Sequence, residues 1–297
     1  MITTSNFKDY ELLDAGDKEK LENWKGVILR RPDPMAIWPK TKPDLWENVD
    51  AYYHRSNSGG GYWEYRKKLP ESWIVNYRDL SFKVSPTNFK HTGLFPEQAS
   101  NWDKIYELIH SKKDIKVLNL FGYTGAASMV ASSAGASEVV HLDASKGIVE
   151  WAKENMKLSH LENNTIRFIV DDALKFTSRE IRRGRKYDGI IMDPPSYGRG
   201  PNNELFKFEE KINPLIENCL ELLSDKPLFF IINTYTTGYS PCVMYNTLKR
   251  HLDEKNFKGN IEVDEIGIKV SDSDYILPCG QTSRFIPWKW FTKIIIY

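Results

Sequence analysis

The hydrophobic rhythm of the chain changes near residue 100. Before that point apolar residues come in short alternating runs, as in "YELLDAG" and "WIVNYRDLSFKVS", separated by stretches such as "RRPDPMAIWPKTKPDLW" where proline and tryptophan interrupt any helical period. Period two over a handful of residues describes strands buried on one face, so residues 1–90 read as a small β-rich module. A loop with glycine and proline, "HTGLFPEQ", leads into the first helical stripe, Trp102, Ile105, Leu108 and Ile109. From Lys116 onward the runs "KVLNLF", "EVVHLD", "IRFIV", "YDGIIMD" and "PLFFIINTY" alternate with helical stretches such as "ASKGIVEWAKENMKL" and "NPLIENCLELL". Strand and helix in turn imply a doubly wound, mostly parallel α/β sheet over residues 91–297. After the last helix, "PCVMYNTLKRHLDEK", the runs "IEVDEIGI" and "WFTKIIIY" follow with no helix between them, so an antiparallel hairpin is expected to complete seven strands.

Composition narrows the class. With 41% apolar residues the chain can bury a large core, yet its longest apolar runs are too short to span a bilayer and its first twenty residues carry acids where a signal peptide needs an apolar stretch. A cytoplasmic protein with no membrane association is the expectation. Cys219, Cys242 and Cys279 form no C-x-x-C pair and the histidines no ligand-spaced cluster, so neither a disulfide framework nor a metal is indicated. The net charge of +1 means that any contact with nucleic acid must rest on a local patch. One such run, "SREIRRGRK", holds Arg179, Arg182, Arg183, Arg185 and Lys186; it is either a phosphate-contacting patch or a solvated helix end. Trp24, Trp38 and Trp46 read as core rather than as stacking platforms.

Each of the first four parallel strands ends in something chemically pointed. "KVLNLF" runs into Gly122-Tyr123-Thr124-Gly125, a turn that allows close backbone approach to a ligand or merely tight packing. "EVVHL" ends at Asp143, at about the interval from the glycine turn at which dinucleotide folds place an acid on a ribose; Asp143 could equally cap the helix that starts near Ser145. "IRFIV" ends at Asp171 and Asp172, and "YDGIIM" at Asp193-Pro194-Pro195, where the prolines forbid further ladder bonds and fix the exit direction. The turn lacks the second glycine that a pyrophosphate needs, which disfavours a dinucleotide and favours a nucleoside ligand without phosphate.

These motifs resemble the class I S-adenosylmethionine-dependent methyltransferases, in particular the bacterial group related to large-subunit ribosomal RNA methyltransferases. The resemblance is carried by "YELLDAGDKEKLENWKGVILRRPDP", "FKHTGLFPEQ", "VLNLFGYTGAAS", "HLDASKGIVEWAKENMKLS", "DDALKF", "REIRRGRKYDGIIMDPPSYGRG" and "LPCGQTSRF". It implies a Rossmann-like methyltransferase sheet, S-adenosylmethionine as cofactor and methyl transfer to a nucleobase, with RNA binding and ribosomal RNA processing as the context. Phe121, Gly122, Tyr123 and Gly125 would wrap the methionine portion. Asp143, with Ala144 and Ser145, would hold the ribose, and Asp172 with Ala173 would meet the adenine. Thr92, Phe95 and Gln98 lie where relatives close a loop over the cofactor, although the same loop could simply staple module to sheet. Asn119 stands where many relatives carry an acid for the cofactor's amino group. Asp193, Pro194, Pro195 and Tyr197 would face the transferable methyl and present the acceptor, with Tyr197 one place later than in the simplest amine-methylating motif. Carbon methylation of cytosine needs a thiolate nucleophile, which relatives of that type carry after the fifth strand; here that segment, "FIINTYTTGYS", has no cysteine, and Cys242, beyond Pro241, reads as packing. The same fold acting on a protein or small molecule, or holding the cofactor without turnover, remains as the alternative.

Overall fold

A computed structural model describes residues 1–3, 6–56, 60–87, 90–236 and 238–288. The amino-terminal module consists of β1 (Tyr10–Gly16), β2 (Glu19–Trp24), β3 (Val27–Pro32), β4 (Ala51–Arg55) and β5 (Gly61–Tyr65), followed by the hairpin β6 (Trp73–Tyr77) and β7 (Leu80–Val84). The first five form one sheet in chain order, antiparallel except between β3 and β4. Alternation in this sheet buries Leu12, Trp24, Leu29 and Ala51, and in the β6–β7 hairpin Val75, Tyr77, Phe82 and Val84, in a core that continues into the carboxy-terminal region. Trp46 is buried too, its Nε1 donating to Asp14 at 2.8 Å, and Trp38 is half-buried, donating to the Ala15 carbonyl at 2.7 Å.

The second layer begins with α1 (Ala99–Ile109), whose Trp102, Ile105 and Ile109 are buried. Then come β8 (Lys116–Leu120), α2 (Ala126–Ser133), β9 (Glu138–Asp143), α3 (Lys146–Leu158), β10 (Ile166–Val170), α4 (Ala173–Arg182) and β11 (Gly189–Met192). A short hairpin of β12 (Tyr197–Arg199) and β13 (Leu205–Lys207) precedes α5 (Phe208–Leu222), β14 (Phe229–Thr234) and α6 (Pro241–Glu254). The chain ends in β15 (Gly259–Lys269) and β16 (Ile276–Pro287). The large sheet has seven strands in the order β10-β9-β8-β11-β14-β16-β15, parallel up to β14 and antiparallel beyond it.

The expected Rossmann-like sheet with a closing hairpin is therefore present. Its last strand is Ile276–Pro287; the run "WFTKIIIY", expected as a strand, lies outside the described residues. The β12–β13 hairpin was also unanticipated; it forms because the chain leaving Pro195 turns back at Gly200–Asn203, where Gly200 N–H donates to the Glu204 carbonyl at 2.8 Å. Among the described residues no helix is long and apolar enough to cross a membrane.

The two layers are tied where it matters for the sheet edge. Asn155 of α3 accepts from Lys83 N–H at 2.9 Å and donates to the Thr124 carbonyl at 2.9 Å, joining the β6–β7 hairpin to the glycine turn. The Thr124 hydroxyl in turn donates to the Gly93 carbonyl. On the far side Ser271 N–H donates to the Leu12 carbonyl at 2.8 Å.

Candidate active site

Parallel register brings the ends of five strands to one level. Met192 pairs with Leu120 and with Ile232, Leu120 with Leu142, and Asp143 with Val170. The residues that follow these positions converge at the carboxyl edge, beside β8, where successive connections depart to opposite sides; open α/β sheets hold ligands at such a point. A cavity of about 340 Å³ opens there, walled by Phe95, Phe121, Tyr123, Asp143, Asp172, Asp193, Phe206 and Tyr235 among others. A smaller hollow adjoins it, lined by Gln98, Asn101, Asn119, Gly122 and Gly125.

The glycine turn is built for close approach. Phe121 and Tyr123 adopt φ of 57° and 50°, and Gly125, which heads α2, adopts 93°. A Cβ on Gly122 would lie 2.4 Å from the ring of His141, so glycine is required there by space and at Gly125 by backbone conformation. Beneath the turn Asn119 donates to Ser128 Oγ at 2.9 Å, and Ser128 Oγ lies 3.0 Å from His141 Nδ1. Burial holds His141 down to about 4, so this support is uncharged at neutral pH. One N–H of the Asn119 amide is thereby engaged in the fold, leaving its second N–H and its oxygen for other contacts.

Asp143 accepts from Tyr123 N–H at 3.0 Å through one oxygen and from Ser145 N–H at 2.9 Å through the other. These bonds aim the carboxylate, while burial pushes its pKa up against them. Asp172 caps α4 by accepting from Lys175 N–H at 2.9 Å and also lines the cavity, so cap and site coincide. Asp171 is paired with Arg179. At the floor, burial and then the nearby Glu97 carboxyl push Asp193 up to about 8. Glu97 is itself buried and raised by burial.

Phe95, Phe121, Tyr123, Asp143, Ala144, Ser145, Asp172, Ala173, Asp193 and Pro195 all line the main cavity, and Gln98, Asn119, Gly122 and Gly125 the adjoining hollow. Three expected residues stand apart. Thr92 is fully buried, with its carbonyl accepting from Ser85 N–H at 3.0 Å; Pro194 is buried; Tyr197 is 58% exposed on the β12–β13 hairpin. None of the three lines either space. The segment "HTGLFPEQ" both staples and lines, because Gly93 anchors Thr124 while Phe95 lies 5.1 Å from Tyr123 and 5.9 Å from Tyr235.

Sequence reasoning missed Glu97, Asn101, Asn233 and Tyr235. Gln98 Nε2 donates to Tyr235 Oη at 2.7 Å, Asn101 Nδ2 donates to Gln98 Oε1 at 2.8 Å and to Asn233 Oδ1 at 2.8 Å, and Arg284 Nε donates to Asn101 Oδ1 at 2.8 Å. The available signal was positional: Tyr235 follows its strand as Asp193 follows its own, and residues 98 and 101 share a helix face. The arginine run is largely neutralised, since Arg179 pairs with Asp171, Arg183 with Glu180, and Arg185 with Glu138 at 2.6 Å.

Four aspartates line the cavity; with Asp171 paired to Arg179 and Asp193 protonated at neutral pH, Asp143 and Asp172 face one lining cation, Arg199. A pyrophosphate would be repelled by such a wall, whereas a cationic ligand with a flat apolar ring would be held. S-adenosylmethionine, a sulfonium joined to adenosine without phosphate, fits this donor set: acids for hydroxyls and positive charge, Phe121, Leu142, Ala173 and Phe206 for the ring.

Comparison with known proteins agrees with the chemistry. Residues 49–238 match the family model described as S-adenosylmethionine-dependent methyltransferase. Ribosomal RNA large subunit methyltransferase K of Neisseria meningitidis serogroup B is 24% identical over 227 residues, which cover 73% of this chain and 63% of that protein. Ribosomal RNA large subunit methyltransferase K/L of Colwellia psychrerythraea is 27% identical over 243 residues, covering 80% of this chain and 30% of that protein. The chain thus spans less than two thirds of the length of these relatives. The crystal structure of a SAM-dependent methyltransferase from Agrobacterium tumefaciens aligns with a TM-score of 0.92 and 35% identity, over 97% of this chain and 93% of that one.

Proposed function

The chain belongs to the S-adenosylmethionine-dependent methyltransferases, and from that premise we propose that it transfers a methyl group to a nucleobase of RNA in the cytoplasm, ribosomal RNA being the substrate named for its relatives. The reading is carried by the position of Asp193, set between the acid-lined cavity and the end of β14 by a turn that Pro194 and Pro195 stiffen. We take residues 1–90 as an amino-terminal β-rich module and 91–297 as the methyltransferase domain.

When bound, S-adenosylmethionine supplies an electrophilic methyl that leaves by in-line displacement. In this reading Phe121, Gly122, Tyr123 and Gly125 enclose its methionine end, Asp143 with Ala144 and Ser145 holds the ribose hydroxyls, and Asp172 with Ala173 meets the adenine. The chain's task in the reaction is to orient the acceptor lone pair, and positioning alone can lower such a barrier by several kcal/mol, roughly 7–11 in the best cases. Asp193 and the Pro194 carbonyl are the groups placed to do so. With a pKa of about 8 the Asp193 carboxyl is protonated at neutral pH; it becomes an acceptor for an amine once positive charge enters the cavity. A thiolate from Cys279 or Cys219 is disfavoured because burial, then Glu97, holds the Cys279 thiol far above its usual range, and burial alone does the same for Cys219.

Methyl incorporation from labelled S-adenosylmethionine tests the proposal. Total RNA from a strain lacking this protein should accept label, and RNA from the parent strain, already modified, should not. Label in neither RNA, from protein that binds the cofactor, would move the acceptor to protein or small molecules.

A further inference from the structure

The main cavity has a neighbour that methyl transfer leaves unused. Beyond the end of β14 a cleft of about 140 Å³ opens between Met35 of the amino-terminal module, the segment after β14 and the start of β16, with Thr236, Tyr239, Pro278 and Gln281 among its walls. Among the described residues the cleft and the cavity share Tyr235 alone. The Tyr235 ring lies 5.9 Å from Phe95 on the cavity side, and a Cβ on Gly280, on the cleft side, would lie 2.8 Å from its Cδ1. Its hydroxyl accepts from Gln98 Nε2 at 2.7 Å. One ring, held at its far end, therefore divides the two spaces. The lip of the cleft is also tied to the proline elbow, because Thr236 Oγ1 donates to Ser196 Oγ at 2.9 Å.

The chemistry of the cleft selects its occupant. Among the described residues no lysine, arginine or histidine lines it, and its charged residue is Glu265, so a phosphate would be repelled. Apolar surface from Met35, Tyr239 and Pro278 suits a flat, uncharged ring. One polar group on the wall lacks a partner. Gln281 is only 5% exposed, and its Nε2 donates to the Tyr239 carbonyl at 2.7 Å; a carbonyl can only accept, so the amide nitrogen is fixed on that side. Gln281 Oε1 has no hydrogen-bond partner among the described residues. A buried acceptor in that state is costly, and an N–H brought by a ligand relieves it.

We propose that this cleft holds the base next to the methylated one in the acceptor strand, with Gln281 Oε1 accepting an N–H from its edge. The Tyr235 ring keeps a base seated there apart from the cofactor cavity, so the neighbour enters the cleft while the target faces Asp193. Unpaired RNA bases can be splayed in this way and read at their edges by side-chain amides. The inference rests on the nucleobase reading above and makes Gln281 a residue that selects sequence context. Steady-state methylation of total RNA from a strain lacking this protein is measured with wild type, Gln281→Met and Met35→Ala. A flanking contact is made equally in the ground and transition states, so KM for RNA should rise roughly tenfold in Gln281→Met and about threefold in Met35→Ala, with kcat kept within about twofold. S-adenosylmethionine affinity, measured by calorimetry, should be unchanged, which also verifies folding. An unchanged KM in folded Gln281→Met overturns the proposal, and so does a fall in kcat at constant KM, which would move the cleft into the reacting centre. Met35 is 50% exposed, so its variant decides in the same way if Gln281→Met does not fold. Failure of cofactor-bound wild type to label any RNA would instead sink the nucleobase reading, and this inference with it.

Discussion

Binding of S-adenosylmethionine at pH 7 should release most of a proton, and Asp193→Asn should abolish most of that release. With a pKa of about 8 against an ordinary 3.8, the Asp193 carboxyl is about nine-tenths protonated at pH 7. A unit positive charge within about 6 Å, at an effective permittivity of about 20, favours the ionised form by roughly 3 kcal/mol, or about two pKa units. The carboxyl would then titrate near pH 6, for a net release of roughly 0.8 proton. Calorimetric titration in buffers of different ionisation enthalpy reads this number directly. The same ionisation enters stability with a definite sign. A carboxyl raised in the folded state contributes stability that is fully present below about pH 4 and is lost as pH rises through about 8. The full shift corresponds to roughly 6 kcal/mol, and because Asp193 borders an open cavity we expect about 1–3 kcal/mol of it. Wild type should therefore lose stability relative to Asp193→Asn between pH 5 and pH 9 in denaturant unfolding. Turnover of Asp193→Ala should fall about a hundredfold, since the acceptor is no longer aimed, while cofactor affinity stays within a few fold. Equal proton release in the two proteins, or parallel stability curves, would refute the coupling of Asp193 to burial and Glu97.

Asp143→Ala should weaken S-adenosylmethionine by about 1–3 kcal/mol through loss of bonds to the ribose, measured by calorimetry; unchanged affinity in a folded variant would remove Asp143 from the site. Gly125→Ala forces a side chain onto φ 93° and places a Cβ 2.9 Å from Met129 and 3.1 Å from Ala152, so a destabilisation of about 1–3 kcal/mol is expected in the unfolding midpoint, with cofactor binding weakened as well. Cys279→Ser and Cys242→Ser should each keep activity, and RNA carrying 5-fluorocytosine should give no covalent adduct on a denaturing gel. An adduct lost with either cysteine would establish a thiolate mechanism that the raised Cys279 contradicts.

Sequence alone determined the alternation of strands and helices, the glycine turn, the acids at the strand ends and the proline elbow after Met192. These features are local: where a strand stops depends on a few neighbouring residues, and the parallel register then carries every strand end to the same edge. Only the packed chain decided the rest. Strand β16 escaped detection because Gln281, Thr282, Ser283 and Arg284 are polar yet buried, between β14 and β15, with Thr282 and Arg284 bonded to Asn101 of α1; no apolar period marks a strand whose polar residues are buried by elements far away in sequence. Tyr197 left the cavity because the chain folds back as the β12–β13 hairpin, and the arginine run was neutralised by acids on other elements. The proton on Asp193 depends on burial and then on Glu97, which no sequence period connects to it. Coulomb energy and desolvation depend on through-space distance and on how much water is excluded, and neither exists until the amino-terminal module, α1 and the sheet have closed on one another.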